Sequence, residues 1–211
     1  MRETIARDLL AINAVFLRPD QPFTWASGIQ SPIYCDNRLT LSVPEVRARI
    51  EKAIANRISE RFHECDLLIG MATAGIAHAA IVAHLLGLPM GYVRSSAKDH
   101  GRGNRIEGAV TPGMKAVVVE DLISTGGSVM ESVAVLREAG AEVLGVVCIF
   151  TYKMARALEH FNAERVCVES LTDFDTLTEV AAIDGIIASA DVARLRAFRD
   201  HPDDPSWMKI L

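Results

Sequence analysis

Short apolar runs alternate along this chain with longer stretches of helical spacing, and two of the runs are rich in β-branched residues. The runs cover residues 66–70, 89–93, 115–119 and 142–150, with a shorter one at 166–168. Strands that alternate with helices form βαβ units, and the parallel sheet they build is buried on both faces. The pattern therefore predicts an α/β fold, with a mostly parallel central sheet flanked by helices.

Helical spacing is clearest over residues 44–62, where an apolar residue recurs at every fourth position among charged ones. These apolar residues should form one buried stripe: Val46, Ile50, Ile54, Ile58 and Phe62. Further helices are predicted over the alanine-rich residues 74–86 and over 128–139, where Gly140 provides a stop. We expect the tail to pack a last helix or turn through Trp207.

Length and charge limit the classes to which the protein can belong. The chain has 211 residues, which suits one domain over 1–211. A net charge of −5 argues against general nucleic-acid binding. The first seventeen residues resemble an amphipathic helix rather than a signal peptide, and no apolar run approaches the roughly 20 residues of a membrane span. We expect a cytoplasmic protein without nucleic-acid or membrane partners.

The cysteines do not suggest a disulfide framework or a metal site. Cys35, Cys65, Cys148 and Cys167 are scattered without a C-x-x-C pair, and the histidines show no metal spacing with them. We expect all four to be reduced core or near-core residues.

Two segments interrupt the alternation of strands and helices. Residues 23–38 combine turn residues with aromatics, which indicates a small hairpin or hood outside the main sheet, within roughly the first 40 residues. Residues 95–110 are polar and glycine-rich without a hydrophobic period, which predicts a long mobile loop. The basic residues of that loop suit an anionic ligand.

The segment 117–129, VVVEDLISTGGSV, joins an apolar strand to two carboxylates and then to five small residues. Ligands of an open parallel sheet collect at the carboxyl ends of its strands, where Glu120 and Asp121 are expected. Residues 124–128 precede a helix, so they offer backbone N–H groups and a positive helix dipole to an anion. This phosphate loop lacks the lysine of a Walker A loop, and the G-x-G-x-x-G fingerprint is also missing.

The two carboxylates need a partner other than the phosphate, either sugar hydroxyls or a hard cation. Alone, such a pair is equally typical of a solvated strand end, and the small residues are equally typical of a capped turn. Together and in this order, they closely resemble the 5-phosphoribosyl 1-diphosphate signature of type I phosphoribosyltransferases. The resemblance implies that the loop holds the 5-phosphate, while the acidic pair addresses the ribose hydroxyls near a magnesium ion.

Three further segments resemble the orotate phosphoribosyltransferase branch of that family. YVRSSAKDHGRGN (92–104) resembles its mobile catalytic loop, FTWASGIQSPIYCDNR (23–38) its substrate segment, and GMATAGI (70–76) its diphosphate-side loop. The resemblance spans residues 20–153. It implies the transfer of 5-phosphoribosyl from phosphoribosyl diphosphate to orotate in pyrimidine (UMP) biosynthesis, yielding orotidine 5-phosphate and diphosphate.

The resemblance also implies roles for individual residues. Lys98, His100 and Asp121 are the expected catalytic residues, and Ser27, Tyr34, Ser124 and Lys153 the expected orotate contacts. The expected contacts to phosphoribosyl diphosphate are Arg94, Lys98, His100, Glu120, Asp121, Leu122, Ile123, Ser124, Thr125, Gly126, Gly127 and Ser128. Mg²⁺ is expected to be held mainly through substrate and water rather than by a protein ligand set. The resemblance further implies a homodimer with shared active sites.

Two departures from the family pattern concern positive charge. Many bacterial members carry lysines at the positions of Ser95 and of residues 72–74, so charge at the diphosphate rests here on Arg94, Lys98 and His100. Many members also place an arginine for the orotate carboxylate where Tyr152 and Lys153 follow the strand here. Lys153, Arg38 and backbone amides are the candidates for that contact.

Two other functions compete with orotate transfer. The 117–129 segment identifies only the phosphoribosyl half of the reaction, so transfer to a purine or another base is the alternative enzyme. A regulator that senses an effector with this fold is the alternative binding protein. It predicts a DNA-binding segment or a strongly basic face, and the sequence has neither.

Overall fold

The computed structural model describes residues 1–24, 28–95 and 105–210. The helices in these ranges are α1 (Arg2–Ala11), α2 (Pro44–Arg61), α3 (Ala74–Leu86), α4 (Gly127–Glu138), α5 (Ala155–Ala163), α6 (Phe174–Ile183) and α7 (Asp191–Asp200). The strands are β1 (Val15–Leu17), β2 (Phe23–Thr24), β3 (Gln30–Ser31), β4 (Ile33–Cys35), β5 (Leu67–Met71), β6 (Met90–Val93), β7 (Ile106–Glu107), β8 (Lys115–Ile123), β9 (Glu142–Thr151) and β10 (Val168–Asp173). Two 3-10 helices are η1 (Asn37–Ser42) and η2 (Pro205–Lys209).

A six-stranded sheet in the order β10-β9-β8-β5-β6-β7 forms the centre of the molecule. Its first five strands are parallel, and β7 pairs antiparallel with β6 at the edge. Every residue of β5 is buried, as expected of a strand covered by helices on both faces. The prediction of an α/β fold with a mostly parallel sheet is confirmed.

The helix predicted over residues 44–62 is α2, and its apolar stripe faces the core. The five residues of the stripe are each at most 6% exposed. Pro44 occupies the first turn, where a missing N–H costs nothing. The alanine-rich prediction matches α3, which ends at Gly87 in the left-handed conformation.

Two strand predictions and one loop prediction differ from the structure. β8 continues to Ile123, beyond the predicted end at residue 119, because Leu122 and Ile123 still pair with β9. β10 covers Val168–Asp173 rather than 166–168, and its buried polar residues hid it from a search for apolar runs. The loop predicted over 95–110 contains β7 near its carboxyl end.

The first 40 residues combine a core helix with two small hairpins. α1 packs against α6 and β10 and buries Ile5 and Leu9 completely. Outside the main sheet, β1 pairs with β4 and β2 with β3, both antiparallel. The chain then enters η1, which packs against β8, α2 and α3. The hairpin β1–β4 is therefore held close to the strand that carries the acidic pair.

The predicted packing of the tail through Trp207 is confirmed, whereas the predicted burial is wrong for one of the four cysteines. Trp207 in η2 is 1% exposed and packs edge-on against Phe198, with ring centroids 5.8 Å apart. All four cysteines are free, but Cys167 is exposed rather than in or near the core.

Among the described residues, no helix is both long and apolar enough to cross a membrane.

Candidate active site

The acidic pair lies at the carboxyl end of β8, between β5 and β9. One carboxylate oxygen of Glu120 accepts a 2.8 Å hydrogen bond from the backbone N–H of Asp121. Burial raises the pKa of Glu120 to about 9, with a further contribution from the neighbouring Asp121 carboxylate. Within the described parts of the chain, neither carboxylate has an ion-pair partner. Hydroxyl donors or a cation bound here would favour the ionised form of Glu120.

The phosphate loop, residues 124–128, turns from β8 into α4 around a small cavity of about 80 Å³. Gly126 has a φ of 78°, and a Cβ there would lie 2.9 Å from the ring of Phe161. A Cβ on Gly127 would have no neighbour within 4 Å, so open space lies above the first residue of α4. No side chain caps α4, which leaves its first N–H groups available to an anion.

A larger cavity of about 430 Å³, the diphosphate cavity, lies on the other side of the acidic pair. It is lined by Met71, Ala72, Thr73, Ala74, Val93, Arg94, Ser95, Arg105, Glu120, Asp121, Ser128, Glu131 and Ser132. Arg94 and Arg105 bring two guanidinium groups to this wall. Arg94 lies 3.5 Å from Glu107, and Arg105 lies 3.3 Å from Glu131 while its Nε donates to the carbonyl of Arg94. The cavity thus places cationic groups opposite two carboxylates.

Gly75 allows α3 to begin directly behind this cavity. A Cβ on Gly75 would lie 2.3 Å from the carbonyl oxygen of Val119, so no larger residue fits without moving β8 or α3. This close contact between Gly75 and Val119 brings residues 72–74 next to the end of β8, just before Glu120. Apart from Met71, the residues of the predicted diphosphate-side loop that line the cavity are small: Ala72, Thr73 and Ala74.

A third cavity of about 230 Å³, the base cavity, adjoins the phosphate loop. It is lined by Ile33, Tyr34, Cys35, Leu122, Ser124 and Tyr152. Tyr34 is 44% exposed and packs on Phe23 with ring centroids 5.7 Å apart. Ser124 belongs to both the phosphate loop and this cavity, so it stands where a base would meet a phosphoribosyl group. Apolar and aromatic walls with few polar groups suit a flat heterocycle.

The structure brings some predicted residues together and leaves others apart. Arg94, the acidic pair, residues 122–128 and Tyr34 line the three cavities. Lys153 does not line the base cavity; its ammonium lies 2.8 Å from Asp173. Arg38 is engaged by both carboxylate oxygens of Asp36. Ser27, Lys98 and His100 lie outside the described residues, so their predicted roles remain predictions.

Tyr152 and Arg105 are among the lining residues that the sequence did not assign to the site. Tyr152 packs against Phe150 and Phe174 and is almost completely buried, as is typical of an aromatic residue of the core. Arg105 was seen only as one of several charges on a loop. For Tyr152, the available signal was its position just past the strand predicted over residues 142–150. Arg105 had no such signal, because β7 was not predicted.

The donor set fits Mg²⁺ held largely by its substrate. Among the described residues, no group of three or more His, Cys, Asp and Glu side chains is arranged to hold a metal ion. Magnesium commonly uses only one or two carboxylates together with substrate phosphates and water. Glu120 and Asp121 supply two adjacent, half-buried carboxylates at the junction of the cavities.

Comparison with known proteins agrees with this geometry. Residues 41–182 match the model of the phosphoribosyl transferase domain. The chain is 56% identical over 209 residues to the orotate phosphoribosyltransferase of Bacillus subtilis, covering 99% of this chain and 97% of that protein.

Two solved structures are similar in fold. The orotate phosphoribosyltransferase of Aeropyrum pernix matches with a TM-score of 0.75 and 29% identity, over 87% of this chain and 99% of that one. The UMP synthase of Leishmania donovani matches with a TM-score of 0.78 and 27% identity over 93% of this chain, which spans 42% of that longer protein. The chain therefore belongs to the orotate phosphoribosyltransferase branch of the phosphoribosyltransferase family.

Proposed function

We propose that this chain transfers the 5-phosphoribosyl group of phosphoribosyl diphosphate to orotate, giving orotidine 5-phosphate and diphosphate. The observation that carries the proposal is the position of Ser124, which is shared by the phosphoribosyl half of the site and the base cavity. The similarity to orotate phosphoribosyltransferases over almost the whole chain supports orotate as the base. This is a step of pyrimidine biosynthesis.

The donor is assigned to the site in three parts. Backbone N–H groups of the phosphate loop and the start of α4 bind the 5-phosphate. The carboxylates of Glu120 and Asp121 accept hydrogen bonds from the ribose hydroxyls, which favours the ionised form of Glu120 despite its burial. The diphosphate occupies the diphosphate cavity, where Arg94 and Arg105 offer positive charge. Arg105 partly replaces the lysines missing at Ser95 and residues 72–74.

The reaction breaks the bond between ribose C1 and a diphosphate oxygen and forms a bond between C1 and a ring nitrogen of orotate. Positive charge develops on the ribose ring and negative charge on the diphosphate. Catalysis is therefore mainly positioning and electrostatic stabilisation. Lys98 and His100, with Arg94, are assigned to the leaving diphosphate, and Asp121 to the ribose ring.

Magnesium, when bound, neutralises charge on the diphosphate and orders its oxygens. Glu120 and Asp121 are the residues that would hold it, directly or through water and the ribose hydroxyls. The base lies against Tyr34 and Tyr152 in the base cavity, with Ser124 as a polar contact. Ser27 and Lys153 remain our candidates for further contacts with orotate.

We further propose a homodimer in which the loop that carries Lys98 and His100 serves the partner's site. The resemblance of residues 92–104 to the family's mobile loop supports this arrangement. The cytoplasmic location expected from the sequence also remains a prediction.

The proposed activity is tested by mixing the purified protein with Mg²⁺, phosphoribosyl diphosphate and orotate. We expect orotate absorbance to fall only when all components are present. Adenine, hypoxanthine and uracil serve as control bases under the same conditions. If one of these bases reacts faster than orotate, that base is the substrate instead. If the protein reacts with none of the bases, the effector-sensing alternative is favoured.

A further inference from the structure

Asn37 is a buried polar residue that joins the hairpin β1–β4 to the strand that carries the acidic pair. Its side chain has no exposed surface, although asparagine is usually found in contact with water. Its Nδ2 donates a 2.8 Å hydrogen bond to the backbone carbonyl of Asp121. Its Oδ1 accepts a hydrogen bond from the thiol of Cys35, at 3.2 Å. The two ends of one amide therefore hold two different walls of the site.

The Cys35 end of this bridge belongs to the base cavity. Cys35 lines that cavity beside Tyr34. Burial raises the pKa of the Cys35 thiol, and the carboxylates of Asp121 and Asp36 raise it further. The thiol therefore keeps its proton and acts as a donor toward Asn37.

The backbone on either side of Asn37 is held by hydrogen bonds as well. Thr40 donates from its hydroxyl to the carbonyl of Asn37 at 2.6 Å. Asp36 precedes η1 and accepts a hydrogen bond from the backbone N–H of Arg38. The preceding strand is anchored by a 2.7 Å bond from the Asp36 N–H to the carbonyl of Ala14. Asn37 thus presents its amide to Asp121 from a rigid turn.

The reaction requires the base and ribose C1 to meet at bonding geometry, yet the two pockets come from segments 84 residues apart. A displacement of about 1 Å between reacting groups can cost about 100-fold in rate. We propose that Asn37 is a positioning residue that sets the base cavity relative to the acidic pair. It acts through Cys35 and Asp121, and the inference rests on the proposed function.

The test compares Asn37→Ala and Asn37→Asp with the same changes at Asn56, an exposed residue of α2. Asn37→Asp keeps the shape but loses the donor to the Asp121 carbonyl. We expect kcat per folded site to fall about 10- to 100-fold in both Asn37 variants. Dissociation constants for phosphoribosyl diphosphate and for orotate, measured separately by calorimetry, should stay within about threefold of wild type, because each pocket remains. The Asn56 variants should match wild type in all three quantities.

Melting temperatures separate positioning from a structural role. Asn37 variants that melt early but retain wild-type kcat per folded site would overturn the proposal, as would a loss of affinity for both substrates without a change in kcat. If neither variant folds, the side-chain amide signals of Asn37 in the wild-type NMR spectrum are followed instead. They should shift when either substrate is added alone, and a shift with only one of them would refute the bridge.

The same experiments distinguish this inference from the proposed function. A wild-type chain that transfers phosphoribosyl to no base refutes the function itself. A wild-type chain that is active on orotate, with Asn37 variants equally active, refutes only the positioning role.

Discussion

The ammonium of Lys153 lies 2.8 Å from the carboxylate of Asp173, although its neighbour Tyr152 lines the base cavity. The Lys153 side chain is 41% exposed, so the long stem has room to redirect the ammonium toward a carboxylate of orotate. We expect Lys153→Met to raise the KM for orotate about 10- to 100-fold, since a hydrogen bond to a charged group contributes about 1.5–3 kcal/mol. Initial rates at saturating phosphoribosyl diphosphate measure this.

Arg38→Met is the matched control for the same contact. The Arg38 guanidinium is held by both oxygens of Asp36, so its loss should leave the KM for orotate unchanged. A raised KM in Arg38→Met together with a normal one in Lys153→Met would assign the carboxylate contact to Arg38. If neither variant changes the KM, the contact belongs to backbone amides.

Asp173 should make stability depend on pH. Burial alone would raise the pKa of its carboxyl, but hydrogen bonds from Lys153 and Thr176 outweigh burial and lower it. A carboxyl whose pKa is lowered by folding stabilises the protein above its unfolded pKa of about 3.9, and this contribution disappears as pH falls through the folded pKa. Asp173→Asn should therefore cost about 2 kcal/mol at neutral pH and less at about pH 3, where the carboxyl of the unfolded chain is largely protonated.

Urea unfolding at the two pH values tests the Asp173 prediction. Asp203→Asn, at an exposed position, should match wild type at both. A penalty for Asp173→Asn that is equal at both pH values would show that ionisation of Asp173 does not contribute to stability.

The two glycines of the phosphate loop should respond differently to alanine. Gly126→Ala should destabilise the fold by about 1–3 kcal/mol, because it combines a φ of 78° with a contact against Phe161. Gly127→Ala should preserve or slightly raise stability, since alanine favours helix and meets nothing within 4 Å. Its methyl group would instead occupy space needed by the 5-phosphate, and we expect affinity for phosphoribosyl diphosphate to fall at least about tenfold.

Thermal unfolding and calorimetry with phosphoribosyl diphosphate check the glycine variants. If Gly127→Ala binds phosphoribosyl diphosphate with wild-type affinity, the 5-phosphate does not bind at this loop. Wild-type stability in Gly126→Ala would mean that the turn relaxes without cost.

Lys98→Ala should lower kcat about 100-fold or more and leave the melting temperature unchanged, because the lysine is assigned to the leaving diphosphate. Shared sites can be tested by mixing this variant with Asp121→Asn after dissociation of the subunits. Random reassociation gives one intact site in each mixed dimer, so activity should recover to roughly a quarter of wild type. If the mixture is no more active than either variant alone, each active site is formed within a single subunit.

Features set by local pattern were predictable from the sequence. The four-residue spacing of α2 and the apolar runs of β5 and β9 follow from burial, and the small residues of 124–128 follow from the turn that they must make. β10 escaped prediction because Ser170, Thr172 and Asp173 are polar and nevertheless buried.

The contacts of individual side chains depend on tertiary partners that the sequence does not reveal. Lys153 meets Asp173 because β9 and β10 pair in parallel with Thr151 opposite Asp173. The turn residues of 23–38 gave no indication that the side chain of Asn37 donates to the carbonyl of Asp121. Residue type and spacing identified the strand end that bears the chemistry, but not the residues that align its walls.

The three cavities draw their walls from the ends of β5, β6, β8 and β9 and from β4, segments that are distant in sequence. No single supersecondary unit of the described residues supplies all the walls of the diphosphate cavity or of the base cavity. During refolding, catalytic activity should consequently return in one late step, after the sheet is complete and the β1–β4 hairpin has docked. A fragment or circular permutant that loses any one of these strand ends would lose turnover entirely rather than in proportion, which makes activity a sensitive reporter of whether the whole fold is in place.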